Sequence, residues 1–149
     1  MQIRIYLDNC CYNRPYDDQT QMRVHLETEA KLYIQNLIRQ KEVDLVTSYV
    51  LEYENSRNKF TQKKIVIQNF MDDYAALYIS AKNKIEIKNL ADEIMRTGIK
   101  EKDAYHVSCA ILGQCKYFIT TDDRLLKFQS KEIELVTPGE FIRKLEEDK

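Results

Sequence analysis

The chain has 149 residues, 44% of them hydrophobic and 32% charged, with a formal net charge of −1. That balance predicts one domain with an ordinary hydrophobic core and excludes a disordered chain. The near-zero charge supplies no global field toward nucleic acid, which excludes a high-affinity nonspecific binder but not an enzyme with one basic wall.

In chain order, Ile3, Ile5 and Leu7 alternate and predict a first strand that ends on Asp8. A polar loop stiffened by Pro15 follows. Asp17 or Asp18 is placed to cap a long helix over 19–40, whose apolar stripe is Met22, Leu26, Ala30, Tyr33, Ile34, Leu37 and Ile38. Core packing explains this stripe, although a dimer or partner groove is another use for it. Residues 42–47 alternate as a second strand, and Ser48 then caps a short helix over 49–58. A helix over 61–72 carries Ile65, Phe70 and Met71, and 76–79 is a short strand.

Residues 83–95 predict a helix with Ile85, Ile87, Leu90, Ala91, Ile94 and Met95 in the core and Gly98 at its stop. The helix over 100–112 is apolar around most of its circumference, so it is expected against the sheet, with Gly113 ending it. A strand over 116–120, a short helix over 122–128, a strand over 134–137 and a helix from Pro138 to Leu145 complete the chain. Strands alternate with helices throughout, which predicts a mostly parallel sheet covered on both faces.

No apolar run reaches membrane-spanning length, and the first strand begins too soon for a signal peptide, so a cytoplasmic protein is expected. Cys10, Cys11, Cys109 and Cys115 form no Cys-x-x-Cys pair and read as free thiols with no assigned role.

Four acids stand out by position: Asp8 ends the first strand, Glu54 lies on the helix after the second, Asp103 opens the apolar helix, and Asp122 follows a strand. Glu54 shares a stripe with Val50 and Leu51, whereas Glu52 shares the face of Ser48 and Tyr49 and meets solvent. Taken singly, Asp103 and Asp122 also fit helix caps or first-turn acids. As a set they do more. Carboxylates ~4 Å apart repel by about 4 kcal/mol per pair at an effective dielectric of ~20. Such a cluster raises its pKa values or binds a divalent cation, and hard oxygen ligands suit Mg²⁺ or Mn²⁺ rather than zinc.

The blocks Asp8, Thr47-Ser48-x5-Glu54, Asp103-Ala-Tyr-His106-x3-Ala110 and Phe118-Ile-Thr120-Thr-Asp122-x-x-Leu125-Leu126 resemble, in order, the four acidic blocks of PIN-domain nucleases. The resemblance covers nearly the whole chain. It implies an α/β/α sandwich on a parallel sheet and metal-dependent cleavage of RNA that leaves a 5′-phosphate and a 3′-hydroxyl. Many small members are toxins of bacterial toxin–antitoxin pairs, usually dimeric, so it also implies an antitoxin partner and a homodimer. Carried over by position, Asp8, Glu54, Asp103 and Asp122 are the metal-site acids, with Thr120 and Asn9 in support. The first block departs from the pattern: Asn9-Cys10 follows Asp8 where the family has Thr or Ser and then Asn. Asp123 beside Asp122, and Glu52 near Glu54, leave the ligands open by one step.

Metal held by these acids would orient and acidify a water for in-line attack on the phosphate. His106, one turn from Asp103, reads as a buried structural histidine with a contact behind the ligands as the alternative. Arg14, Arg57, Lys59, Lys63 and Lys64 are candidate phosphate contacts, and Tyr12, Tyr49 and Tyr53 candidate stacking rings, against the plain reading of solvated faces and core tyrosines. The alternative function is a catalytically degenerate binding module for RNA or protein. A receiver or Asp-x-Asp phosphatase lacks its paired acids here, since Cys10 stands where the second acid would be.

Overall fold

The computed structural model describes residues 2–148. Five strands form one all-parallel sheet in the order β3-β2-β1-β4-β5: β1 Arg4–Leu7, β2 Asp44–Ser48, β3 Ala75–Ile79, β4 Tyr117–Ile119 and β5 Glu134–Val136. Helices α1 (Asn9–Asn13), α2 (Met22–Arg39), α3 (Tyr49–Ser56), α4 (Thr61–Tyr74), α5 (Lys84–Met95), α6 (Glu101–Leu112) and α7 (Pro138–Glu147) connect and cover the strands. The architecture is the three-layer α/β/α sandwich expected from the alternation of periods. Short parallel strands need crossovers, and the helices supply both the crossovers and the apolar cover.

The central strand is buried on both sides. Ile5, Tyr6 and Leu7 are all fully buried, so the apolar alternation described only half of what β1 contributes to the core. Tyr6 can face inward because its hydroxyl lies 2.7 Å from Ser48 Oγ and 2.7 Å from His106 Nδ1. A buried phenol is tolerated when its polar tip is bonded.

Several sequence expectations are corrected. The segment after Asp8 is no loop: Asp8 caps α1, and a 3-10 turn at Arg14–Tyr16 carries Pro15. Neither Asp17 nor Asp18 caps α2; its N-cap is Gln21, and Asp18 instead closes a turn on Thr20. Residues 122–128 form only a 3-10 turn at Leu125–Lys127. Ile85, expected in the core, is exposed.

The largest correction concerns α2. Val24, Thr28, Lys31, Ile34, Leu37 and Ile38 face inward, while Met22, Leu26 and Tyr33 of the expected stripe are exposed. The two stripes merge only in the last turns. The helix is rotated because its polar inward residues find partners: Thr28 donates to the Arg14 carbonyl at 3.1 Å, and Lys31 donates to Gln35 Oε1 at 2.6 Å. Core packing therefore does not account for Met22, Leu26 and Tyr33.

Gly113 ends α6 as its C-cap, as expected, and the next residue, Gln114, adopts the left-handed conformation (φ 58°). A Cβ at Gly113 would lie 2.9 Å from Val46 Cγ1, so the missing side chain allows the helix end to approach β2. After α5 the left-handed position is Gly98 (φ 100°), as the sequence predicted.

Lys31 is 6% exposed, and its ammonium lies 5.8 Å from the ring centroids of both Tyr12 and Phe70. Burial pushes it down from 10.5 to about 8. The folded state thus binds fewer protons than the unfolded chain between those values, and this group makes stability rise with pH across that window. Replacing Lys31 by Met should stabilise the protein by about 2 kcal/mol at pH 7. The gain should shrink as pH rises from 8 toward 10, measured by urea unfolding across that range.

Candidate metal centre

The register Leu7↔Ile119 between β1 and β4 places the next residues, Asp8 and Thr120, side by side at the carboxyl edge of the sheet. This is where the strand order turns, with β2 on one side of β1 and β4 on the other. Open α/β sheets form their ligand crevice at such a point. The Asp8 amide donates to the Ile119 carbonyl at 2.9 Å, continuing the ladder by one residue. Asp8 Oδ1 accepts from the Asn9 amide at 2.8 Å, and Oδ2 accepts from Thr120 Oγ1 at 2.8 Å. Thr120 Oγ1 in turn accepts from the Asp122 amide at 3.1 Å, so one hydroxyl joins the first and fourth blocks.

Glu54 reaches this edge from α3. Ser48 ends β2 and accepts from the Leu51 amide at 3.1 Å, starting the helix so that Glu54 faces α6. Glu54 Oε1 lies 2.8 Å from His106 Nε2, and Oε2 lies 2.5 Å from Lys102 Nζ. Burial pushes the Glu54 carboxyl up, but the hydrogen bonds from His106 and Lys102 outweigh it and hold the group below the usual carboxylate range. With Glu54 ionised, Nε2–H donates to it, while Nδ1 faces the Tyr6 hydroxyl, which also meets Ser48 Oγ. Burial, and next the Cys109 thiol, push the Tyr6 phenol well above its ordinary value, so it keeps its proton. Glu52 projects elsewhere, beside Tyr78.

Asp103, in the first turn of α6, is raised above its ordinary value by burial, then by Asp8 and by Asp122. It lines a cavity of about 130 Å³ with Asp122. Asp122 Oδ1 accepts from the Arg124 and Leu125 amides at 2.9 and 3.3 Å, so it also caps the turn that follows. Asp123 points away and forms an ion pair with Arg23 at 2.8 Å.

The arrangement fits a divalent cation. Asp8, Glu54 and His106 each offer a ligand atom, all within 4.8 Å of one another. Asp103 is close enough to Asp8 and Asp122 to feel their charge. The oxygen donors suit Mg²⁺ or Mn²⁺, and an imidazole in reach suits Mn²⁺ better.

His106 is buried, as read, and it bonds directly to Glu54, the contact behind the ligands that the sequence left as the alternative. Two further participants were not foreseen from sequence. Lys102 sits one turn before His106 on α6 and opposes Glu54; that i, i+4 pair was the available signal. Cys10 Sγ lies 3.5 Å from both Asp8 Oδ2 and Thr120 Oγ1, and 3.4 Å from the Thr121 amide, so it fills the space behind Asp8. Asn9, expected to assist, accepts from the Asn13 side chain at 2.9 Å through its carbonyl and 3.2 Å through its side-chain oxygen, and so braces α1.

The basic candidates separate. Arg14 is committed to Asp17 and Glu27, each at 2.9 Å. Lys63 lies 5.4 Å from the Tyr16 and Phe60 ring centroids, Lys64 is half-buried with its carbonyl bonded to Asn55, and Lys59 is exposed. Arg57 lines one cavity with Glu54 and Lys102. Tyr12, offered for stacking, is 1% exposed and unavailable; Tyr53 is 63% exposed.

An all-parallel 3-2-1-4-5 sheet with acids gathered at its switch point has the fold of PIN-domain proteins. Among solved structures, it is similar to VapBC2 from Rickettsia felis bound to a DNA fragment from their promoter, at 15% identity over 91% of this chain and 98% of that one (TM-score 0.54). It is also similar to FitAB bound to an IR36 DNA fragment, at 16% identity over 90% and 94% (TM-score 0.59). FitAcB from Neisseria gonorrhoeae matches at 18% identity over 91% and 98% (TM-score 0.54). These identities establish likeness of fold. No protein-family model and no curated protein matches the sequence.

Thr120→Val removes the hydroxyl that serves both Asp8 and the Asp122 amide. It should destabilise the protein by about 2 kcal/mol in urea unfolding at pH 7, because a buried carboxylate loses a donor.

Proposed function

We propose that residues 1–149 form a single PIN-like nuclease domain that hydrolyses phosphodiester bonds of RNA with Mg²⁺ or Mn²⁺. The observation that carries this reading is that Asp8, Glu54 and His106 bring ligand atoms within 4.8 Å of one another at one edge of a PIN-type sheet, with Asp103 close enough to Asp8 and Asp122 to be raised by their charge. Asp8, Asp103 and Asp122 would hold the metal, with Glu54 completing the set. Bound there, a divalent cation supplies an acidified water and charge neutralisation at the phosphate. The chain's own residues do the rest. Thr120 and the Asn9 amide fix the Asp8 carboxylate, His106 orients Glu54 through the buried Tyr6–Ser48 chain, and Arg57 offers a cation for a flanking phosphate.

Cleavage of single-stranded RNA should require Mn²⁺ or Mg²⁺, stop on adding EDTA, and fall by more than about 100-fold in Asp8→Asn. Cleavage indifferent to both EDTA and Asp8→Asn would end this reading.

The partner side of the proposal is a toxin role, in a homodimer bound by an antitoxin in the cytoplasm. It rests on two supports: VapBC2 and FitAB were solved on DNA, and α2 presents Met22, Leu26 and Tyr33 with no cover from the fold. Among the described residues no helix is long and apolar enough to cross a membrane.

A second reading, a degenerate module that binds RNA or protein without cutting, draws on Glu54. Lys102 and His106 already engage both of its oxygens. The two readings separate by calorimetry. The nuclease binds Mn²⁺, and Lys102→Met binds it on the order of 5-fold more tightly by removing a competing cation. A degenerate site binds no Mn²⁺ at millimolar concentration in either form.

A further inference from the structure

We propose that the cleft between α3 and α6 is a subsite for one unpaired nucleobase of the RNA strand, beside the acid site; this rests on the nuclease reading above. Val50, Tyr53, Glu54 and Arg57 follow the three- and four-residue steps of one face of α3, and Glu101, Lys102 and Tyr105 those of one face of α6. Together they line a cavity of about 550 Å³, within the usual range for a small-ligand pocket. Its opening carries an aromatic ring that the fold leaves bare: Tyr53 is 63% exposed. Tyr105 and Val50, both half-buried, give the cleft a second aromatic wall and an aliphatic patch. A flat, neutral, aromatic body suits this lining, since stacking needs a π-face and no particular hydrogen-bond pattern.

The charges around the rim favour a nucleotide over a free aromatic ligand. The Arg57 guanidinium lies 5.8 Å from the Tyr53 ring centroid, and its Nη1 donates to the Tyr53 hydroxyl at 3.3 Å. It stands at the mouth, free of any carboxylate within ion-pair distance among the described residues. A base stacked on Tyr53 would leave its phosphate at this cation. Glu54 and Lys102, which also belong to the acid site, line the same cleft. A strand with one base in the cleft and its phosphate at Arg57 therefore passes beside the acids. Paired bases cannot enter, because stacking in the cleft requires the base to be splayed out of a helix. The subsite selects unpaired RNA next to the scissile bond by shape and stacking, not by base edge.

The test uses the full chain carrying Asp8→Asn, in EDTA, so that binding is read without cleavage. The probe is a short single-stranded RNA with one 2-aminopurine, and its fluorescence should be quenched on binding. Tyr53→Leu should weaken that binding about 10-fold and abolish the quenching. Tyr53→Phe should stay within about twofold, since the ring and not the hydroxyl stacks. Tyr78→Leu on the edge strand β3 serves as the control, and Tyr53 is exposed enough for Leu to leave the fold intact, checked by urea unfolding. An abasic probe should bind the parent and Tyr53→Leu alike, as a coupled pair requires. Equal affinity of the parent and Tyr53→Leu for the 2-aminopurine strand overturns the subsite, as does an equal loss with the abasic strand. Unchanged RNA binding with loss of a homodimer in Tyr53→Leu assigns the cleft to protein contact and overturns it too. The underlying reading fails separately: quenched binding without metal-dependent cleavage by the unmutated chain keeps the subsite and removes the nuclease. Cleavage with KM unchanged in Tyr53→Leu does the reverse.

Discussion

Compensation of carboxylate charge at the edge of the sheet is the constraint around which this molecule is arranged. Parallel pairing of β1 with β4 brings the Asp8 and Asp122 blocks together, and the crossing of α3 with α6 adds Glu54 and Asp103. Negative charges collected in a half-buried crevice destabilise the fold unless each has a donor or a counter-charge. Asp8 has a hydroxyl and an amide, Asp122 has two amides of the turn it caps, and Glu54 has an imidazole and an ammonium. Asp103 is the least compensated, and it is the acid whose proton is held more tightly than usual. A divalent cation would complete what these donors begin.

The support for Glu54 extends through the core. Ser48 ends β2 and caps α3, and its hydroxyl also meets Tyr6 of β1; Tyr6 meets His106, and His106 meets Glu54. Three buried polar side chains therefore satisfy one another in a line that reaches an acid at the surface. A polar chain inside an apolar sheet is tolerated when every member is bonded, and it then fixes rotamers that packing alone would leave loose. Lys102 makes a different contribution, as an exposed cation on Glu54 that a metal ion would displace and a phosphate would draw away.

Much of this was legible in the residues. The strands, the order of the helices and the positions of the four acids follow from local period and from strand ends, which depend on a few neighbouring residues. The preference for Glu54 over Glu52 came from helical spacing, and the structure sets Glu54 against His106 and Glu52 beside Tyr78. The rotation of α2 was not legible. Both Met22-Leu26-Tyr33 and Val24-Thr28-Lys31 make a continuous stripe, and hydrophobicity favours the wrong one. Thr28 and Lys31 face inward only because the Arg14 carbonyl, Gln35 and two aromatic rings receive them.

The chain's local pattern was enough to set an alternating α/β order and to put an acid at the end of β1, because period, capping and strand termination act over a few residues. Folding in three dimensions decided which side chains those acids meet. The contacts of Asp8 with Thr120 and of Glu54 with His106 join residues 112 and 52 positions apart. Distances of that kind are set by sheet register and helix crossing, which no local window contains.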